Sequence, residues 1–413
     1  MEWGNGQRQW FVSHFPRLAS PPNPRLAIAA HSLELPAPPP EALALSEQLR
    51  RHIADEIGRG GGWLSFARYM ELALYAPGLG YYMAGARKLG RDGDFVTAPE
   101  ISPLFGRTLA RQLRQLTGAA RGDILEIGAG SGALAADLLL ELERLGCAPE
   151  RYLILELSPD LRDRSRDTLA ARVPHLIERV AWLNQLPPAF EGAVIGNEVL
   201  DAMPVHVLQR NGGRVEELGV ALSNGEFQWS PRISGDAPAA VDATSFPVEG
   251  YRSEVQLVAR AFIRSVGRML ARGAAFFIDY GFPRREYYHP QRSAGTLMCH
   301  YRHRAHDDPF FLPGLQDITS HIDFTAIAEA GREAGLDLLG YTNQAQFLVN
   351  CGITDLLAET PADDAASYAP LAAQAQKLLS PAEMGEFFKV IAFGRGVPPA
   401  LLGFAGGDKR HAL

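Results

Sequence analysis

The chain has 413 residues, 46% of them hydrophobic and 21% charged, with a formal net charge of −7. That length can bury a large core, in one enzyme domain with additions or in two domains. The mild acidity argues against bulk electrostatic binding to nucleic acid, and no apolar run reaches the roughly 18 residues of a membrane helix, so neither partner is expected.

From Trp3 to Leu33 there is no acid, while Arg8, Arg17 and Arg25 occur among scattered serines. A mitochondrial targeting peptide has that composition, but no amphipathic arginine helix is evident. The scarcity of lysine beside abundant arginine, alanine and glycine fits a GC-rich bacterial genome, so a cytoplasmic protein is expected, with the mitochondrial matrix as the alternative. Ser20 to Pro40 is proline-rich and reads as an arm or linker. Helices are expected at about Glu41–Ile57, Trp63–Tyr75 and Pro103–Leu116, with turn chemistry at 76–82. Strands at 123–127, 152–157, 192–196 and Ala274–Asp279 alternate with helices at 131–145, 159–171 and 251–272, which predicts a parallel α/β sheet. Asn211-Gly-Gly and Asn224-Gly mark hairpins, hence an antiparallel insertion over 205–230. The stretch 282–322 is too long for a plain loop. A helix at 323–334, a strand at 337–341, further helical segments and a strand at 387–393 follow, then a tail, 396–413, that reads as frayed. Cys147, Cys299 and Cys351 are far apart and read as free thiols.

Ile124-Leu-Glu-Ile-Gly-Ala-Gly-Ser-Gly132 is an apolar strand running into a glycine turn. Such a turn brings bare backbone amides against a ligand. Gly128, Gly130 and Ala133 could pass for a dinucleotide fingerprint. Glu126, two residues before the first glycine, favours S-adenosylmethionine instead, because a carboxylate there suits an amino-acid cofactor and repels a pyrophosphate. Glu156 ends the next strand, where an acid can take both ribose hydroxyls of an adenosine. Gly196-Asn-Glu-Val-Leu-Asp-Ala-Met-Pro204 falls at the expected crevice. On a helical turn Glu198 and Asp201 would face one way, and paired carboxylates suit a guanidinium. Asn197 is expected to bond the cofactor or the nucleophile, or simply to cap a helix. The loop 93–105, with Thr97 and Pro99, reads either as plain packing or as a lid over the cofactor, with Phe95 or Tyr82 offering an aromatic face. His300, His303 and His306 invite a metal, but Arg302 and Arg304 between them would repel a cation, so no metal is assigned.

Taken with Gly93-Asp-Phe-Val-Thr-Ala-Pro-Glu-Ile-Ser-Pro-Leu-Phe-Gly106, Asp279-Tyr-Gly281, Gly295-Thr-Leu297 and Pro313-Gly-Leu-Gln-Asp-Ile-Thr-Ser-His-Ile-Asp-Phe324, these motifs resemble the MidA-like S-adenosylmethionine-dependent methyltransferases. The resemblance covers roughly residues 45–395. It implies an α/β class I methyltransferase (Rossmann-like) fold: a seven-stranded, mostly parallel sheet, antiparallel at one strand near the C-terminus, with a helical N-terminal region and inserted elements. The expected organisation is an arm at 1–40, a helical region with the lid at 41–118, a methyltransferase domain at 119–395 with inserts at 205–250 and 282–322, and the tail. Glu198, Asp201 and Asn197 are the expected catalytic residues. Glu126, Gly128, Gly130, Gly132, Glu156, Asn197, Phe95, Thr97 and Pro99 are expected to hold the cofactor. Tyr280, Glu286 and His321 are further candidates without an assigned role. The family includes a mitochondrial arginine methyltransferase that assists respiratory complex I assembly, which implies a protein substrate, such as a respiratory-complex subunit, and leaves a homodimer open. A small-molecule methyltransferase and a cofactor-binding assembly factor without catalysis are the alternatives.

Overall fold

A computed structural model describes residues 35–84, 96–117, 122–233, 241, 245–398 and 400–413. Phe95 and nearly all of the N-terminal arm lie outside the described residues. The main sheet contains β1 (Asp123–Ile127), β2 (Tyr152–Leu155), β3 (Val180–Leu183), β4 (Phe190–Asn197), β5 (Leu270–Phe282), β6 (Asp337–Asn343) and β7 (Phe388–Arg395). Their order is β3-β2-β1-β4-β5-β7-β6. All neighbours are parallel except β7, which runs antiparallel to both β5 and β6. Each strand of the centre is apolar on both faces. Ile124, Ile154, Ile195 and Phe276 pack on one side with the helices Pro103–Thr117 and Ala133–Arg144, and Leu125, Leu153, Val194 and Phe277 pack on the other with Leu257–Met269 and Phe324–Glu333. A sheet covered on both faces selects such continuous apolar strands.

The expected count of seven strands needs correction. β5 runs well past Asp279, and its protruding end pairs in parallel with an eighth short strand, Ile322–Asp323. β3 escapes the sequence reading because its four residues, Val-Ala-Trp-Leu, are too short a run to show a period, and it is pairing with β2 that makes them a strand. The helix expected from 251 begins as a strand, Arg252–Val255, which pairs with His206–Gln209, and only Leu257–Met269 is helical.

The insertion after β4 forms a second, antiparallel sheet from His206–Asn211, Arg214–Ser223, Glu226–Arg232 and Arg252–Val255, joined by Leu64–Ser65 from the N-terminal region. The N-terminal helices Pro40–Arg59 and Phe66–Tyr75 pack Leu49, Ile53, Phe66 and Met70 against its Val207, Leu218 and Val220. Within the later insertion, Met298–Tyr301 is the centre of a three-stranded sheet with Arg304–His306 and Asp317–Thr319. Its Cys299 and Ile318 join the same apolar cluster. The three cysteines are buried free thiols. The tail is not frayed. Leu401 and Phe404 are buried, Asn350 donates to the Gly403 and Gly406 carbonyls, and the Lys409 amide donates to the Tyr341 carbonyl. Gly340 makes the docking possible, since a Cβ there would come within 2.2 Å of the Phe404 ring.

Candidate active site

A cavity of about 900 Å³ opens where Glu126, Gly128 and Gly130 follow β1, Glu156 follows β2, and Asn197 and Glu198 end β4. This is the carboxyl edge at which open α/β sheets place their ligands, next to the β1/β4 reversal of strand order. The turn after β1 carries three left-handed glycines, Gly128 (φ +70°), Gly130 (φ +54°) and Gly132 (φ +82°). A Cβ on Gly128 would lie 2.7 Å from Val199 Cγ1, so only glycine leaves backbone facing the cavity there. Gly132 does something else. It stands at the head of the helix Ala133–Arg144, closely packed on Ser165, and is not among the cavity-lining residues.

Glu126 is buried beneath this turn, where it accepts the Tyr152 hydroxyl at 2.7 Å, and burial pushes its carboxyl up to about 7. Glu156 is fixed by the amides of Gly130 (3.3 Å) and Ser158 (2.9 Å), which aim it along the cavity wall.

The segment after β4 is a turn and not the helical turn expected from the spacing of its acids. The Glu198 amide still donates to the Ile278 carbonyl of β5 at 2.8 Å, and the chain then reverses with Glu198 at φ +52°, a conformation that costs a non-glycine residue energy. Asn197 does not cap a helix. Its Nδ2 donates to Glu198 Oε1 at 3.2 Å, and its buried Oδ1 has no partner among the described residues. Buried Asp279 holds the turn from below. Its Oδ2 accepts the amides of Leu200 (2.9 Å) and Asp201 (3.3 Å), and its Oδ1 accepts that of Tyr280. The Tyr280 hydroxyl donates to Asp201 Oδ2 at 2.5 Å, while Asp201 Oδ1 has no partner among the described residues. Burial, with the Asp201 charge second, pushes Glu198 up to about 8, and burial pushes Asp201 up to about 6. Burial and both neighbouring acids hold Asp279 well above the usual carboxylate range.

The facing wall comes from distant parts of the chain. Tyr75 and Tyr82 stack at 5.4 Å, their hydroxyls bound to the Ala202 carbonyl and to Asp317 Oδ1. Thr97, Pro99, Arg292, Thr296, His300 and His321 complete it. Of the three spaced histidines, His300 lines the cavity, His303 sits in a left-handed turn at φ +61°, and His306 lies on the opposing strand paired with Cys299. Glu286 lies on the short helix Arg284–Tyr287 and is not among the cavity-lining residues.

The profile of a protein family described as "putative S-adenosyl-L-methionine-dependent methyltransferase" matches residues 104–342, more than half of the chain. A crystal structure of a protein from Burkholderia thailandensis bound to S-adenosyl-homocysteine is 55% identical, covers 92% of this chain and all of its own, and superposes with a TM-score of 0.89. The Drosophila melanogaster protein arginine methyltransferase NDUFAF7 homolog, mitochondrial, is 28% identical over 96% of each chain. The Mus musculus protein arginine methyltransferase NDUFAF7, mitochondrial, is 30% identical over 83% of each.

The chain belongs to this methyltransferase family. S-adenosylmethionine is the cofactor of the methyltransferase, and its cavity fits such a group: bare backbone at Gly128, a clamped carboxylate at Glu156 and an unsatisfied amide oxygen at Asn197. The structure brings Glu126, Gly128, Gly130, Glu156, Asn197, Glu198, Asp201, Thr97 and Pro99 to one cavity and sets Gly132 behind it. Sequence reasoning missed Tyr75, Asp317 and the supporting role of Asp279. Asp279 stood in a recognised block at a strand end, but nothing in the sequence says that its carboxylate accepts amides from a turn 78 residues away.

Proposed function

We propose that this methyltransferase transfers the methyl group to an arginine side chain of a protein. The observation that carries the reading is the pair Glu198 and Asp201, two cavity-wall carboxylates whose side-chain partners are Asn197 and Tyr280 rather than any described lysine or arginine. Two acids without a cation call for a cationic ligand, and a planar guanidinium offers only donors. The names of the relatives support the same class of substrate.

In this reading Glu126, Gly128, Gly130 and Glu156, with Thr97 and Pro99, hold the cofactor, and Gly132 shapes the loop. Asn197 bridges the cofactor and substrate ends of the site through its free Oδ1. When bound, S-adenosylmethionine supplies an electrophilic methyl group on a sulfonium. The protein must hold the nucleophilic nitrogen in line with it, and Asp201 does so, fixed by Tyr280. As the nitrogen takes the methyl it loses a proton, which Glu198 accepts. In the ligand-free protein burial holds that carboxyl up at about 8. The arriving guanidinium favours its ionised form, so the proton leaves to solvent and the carboxylate is left to act as base.

Incubating the full chain and labelled cofactor with lysate from a strain lacking the gene, followed by mass spectrometry, tests the substrate. Methylarginine in a protein, a respiratory-complex subunit being the partner class to look for first, is expected. Label found only in small molecules would overturn the reading. Glu198→Gln should cut turnover by about 100-fold or more while S-adenosylhomocysteine binding stays within about threefold. Unchanged turnover would remove Glu198 from its role.

A further inference from the structure

His321 lies outside the acid turn and is a residue of the same cavity wall. Its backbone is pinned on both sides. The amide donates to Thr296 Oγ1 at 3.1 Å, and the carbonyl accepts Gln256 Nε2 at 2.8 Å. One residue earlier, the Ser320 amide donates to the Asp201 carbonyl at 3.1 Å, which couples this segment to the acid turn. The ring meets Tyr280 edge-on at 5.2 Å and Phe282 at 5.4 Å. Tyr280 is therefore shared: its hydroxyl serves Asp201 and its ring seats His321.

The imidazole Nδ1 is screened from solvent and has no partner among the described residues. A phenylalanine would make the same ring contacts without that cost, which for a buried polar atom is about 1–3 kcal/mol. Packing alone thus does not account for a histidine. Burial, with the Arg292 and Lys389 charges adding to it, holds the ring below the usual imidazole range, down to about 3. A neutral ring has one nitrogen free to accept.

Building on the arginine reading, we infer that His321 is a substrate-contacting residue that accepts an N–H of the guanidinium while Glu198 and Asp201 take the others. The three acceptors come from two chain segments that meet at Tyr280, so together they read a planar group with donors along more than one edge. A primary ammonium, a compact charge, would not need that spread.

The test uses the full chain saturated with S-adenosylhomocysteine and labelled with nitrogen-15 at histidine, titrated with ethylguanidinium. The His321 ring resonance should move on binding, a readout that packing alone would not give. His321→Phe should weaken ethylguanidinium binding about tenfold or more and leave S-adenosylhomocysteine within about twofold, while His321→Gln, which keeps an acceptor, recovers most of the loss. Should wild type bind ethylguanidinium with an unmoved His321 resonance, or His321→Phe bind it as well, the inference is overturned and the arginine reading stands. Should wild type fail to bind it at all, both fall.

Discussion

Burial and the Asp201 charge raise Glu198 to about 8, so near neutral pH it carries its proton until a cation arrives. The consequence for stability has a definite sign. A carboxyl raised on folding stabilises the native state below its ordinary pKa of about 4.5, and that contribution is lost as pH rises through about 8. Glu198→Gln, which cannot ionise, should therefore match wild type at pH 5 and exceed it at pH 9, by on the order of 1–3 kcal/mol. Thermal unfolding of the ligand-free proteins at both values checks this, and an equal difference at both would contradict it. Gly128 sets a second limit at this scale. Gly128→Ala meets both a left-handed backbone and Val199. It should cost about 1–2 kcal/mol and abolish measurable cofactor binding. Adding Val199→Ala relieves the contact but not the φ, so calorimetry should find binding only partly restored.

At the scale of elements, the turn from Asn197 to Met203 depends on a carboxylate borrowed from β5. Asp279→Asn turns one acceptor into a donor facing backbone amides, at a cost of about 1–3 kcal/mol. It should also depress kcat more than cofactor affinity, because the acids lose their seat while the glycine turn keeps its own. A paired fall in both would argue against that separation. The elements differ in how plainly the sequence announces them. β1, β2 and β4 were legible because each is a short apolar run ending in a turn or an acid. Arg252–Val255 was not, since its buried Ser253 and Glu254 break the apolar pattern and only pairing with His206–Gln209 makes it a strand. Glu198 and Asp201 were legible as a pair and misjudged in geometry. Helical spacing predicted a shared face, but the Glu198 amide stays hydrogen-bonded to the Ile278 carbonyl and the chain reverses at Glu198 in a left-handed conformation, which delivers both acids to the cavity another way.

For the molecule as a whole, strand–helix alternation could be read from local periodicity, whereas the antiparallel strand near the C-terminus followed only from the family resemblance, because periodicity carries no strand direction. Docking of the tail could be read from neither, since it depends on a glycine on β6, far away in sequence. Phe404→Ala should lower global stability by about 3 kcal/mol without changing S-adenosylhomocysteine affinity, as seen by denaturant unfolding and calorimetry. A loss of affinity would mean that the tail reaches the site through β6 and β7. The cavity itself joins two kinds of inheritance. Its cofactor side, Gly128 to Glu156, is an integral part of the central sheet, while Tyr75 and Tyr82 belong to the N-terminal region and Arg292, Thr296 and His321 to the later insertion, outside strands β1–β7 of that sheet. Mutations in those segments can therefore accumulate without disturbing the cradle. Diversification within such a lineage should retarget the enzyme by rewriting one wall, while its dependence on a single donor molecule stays unchanged.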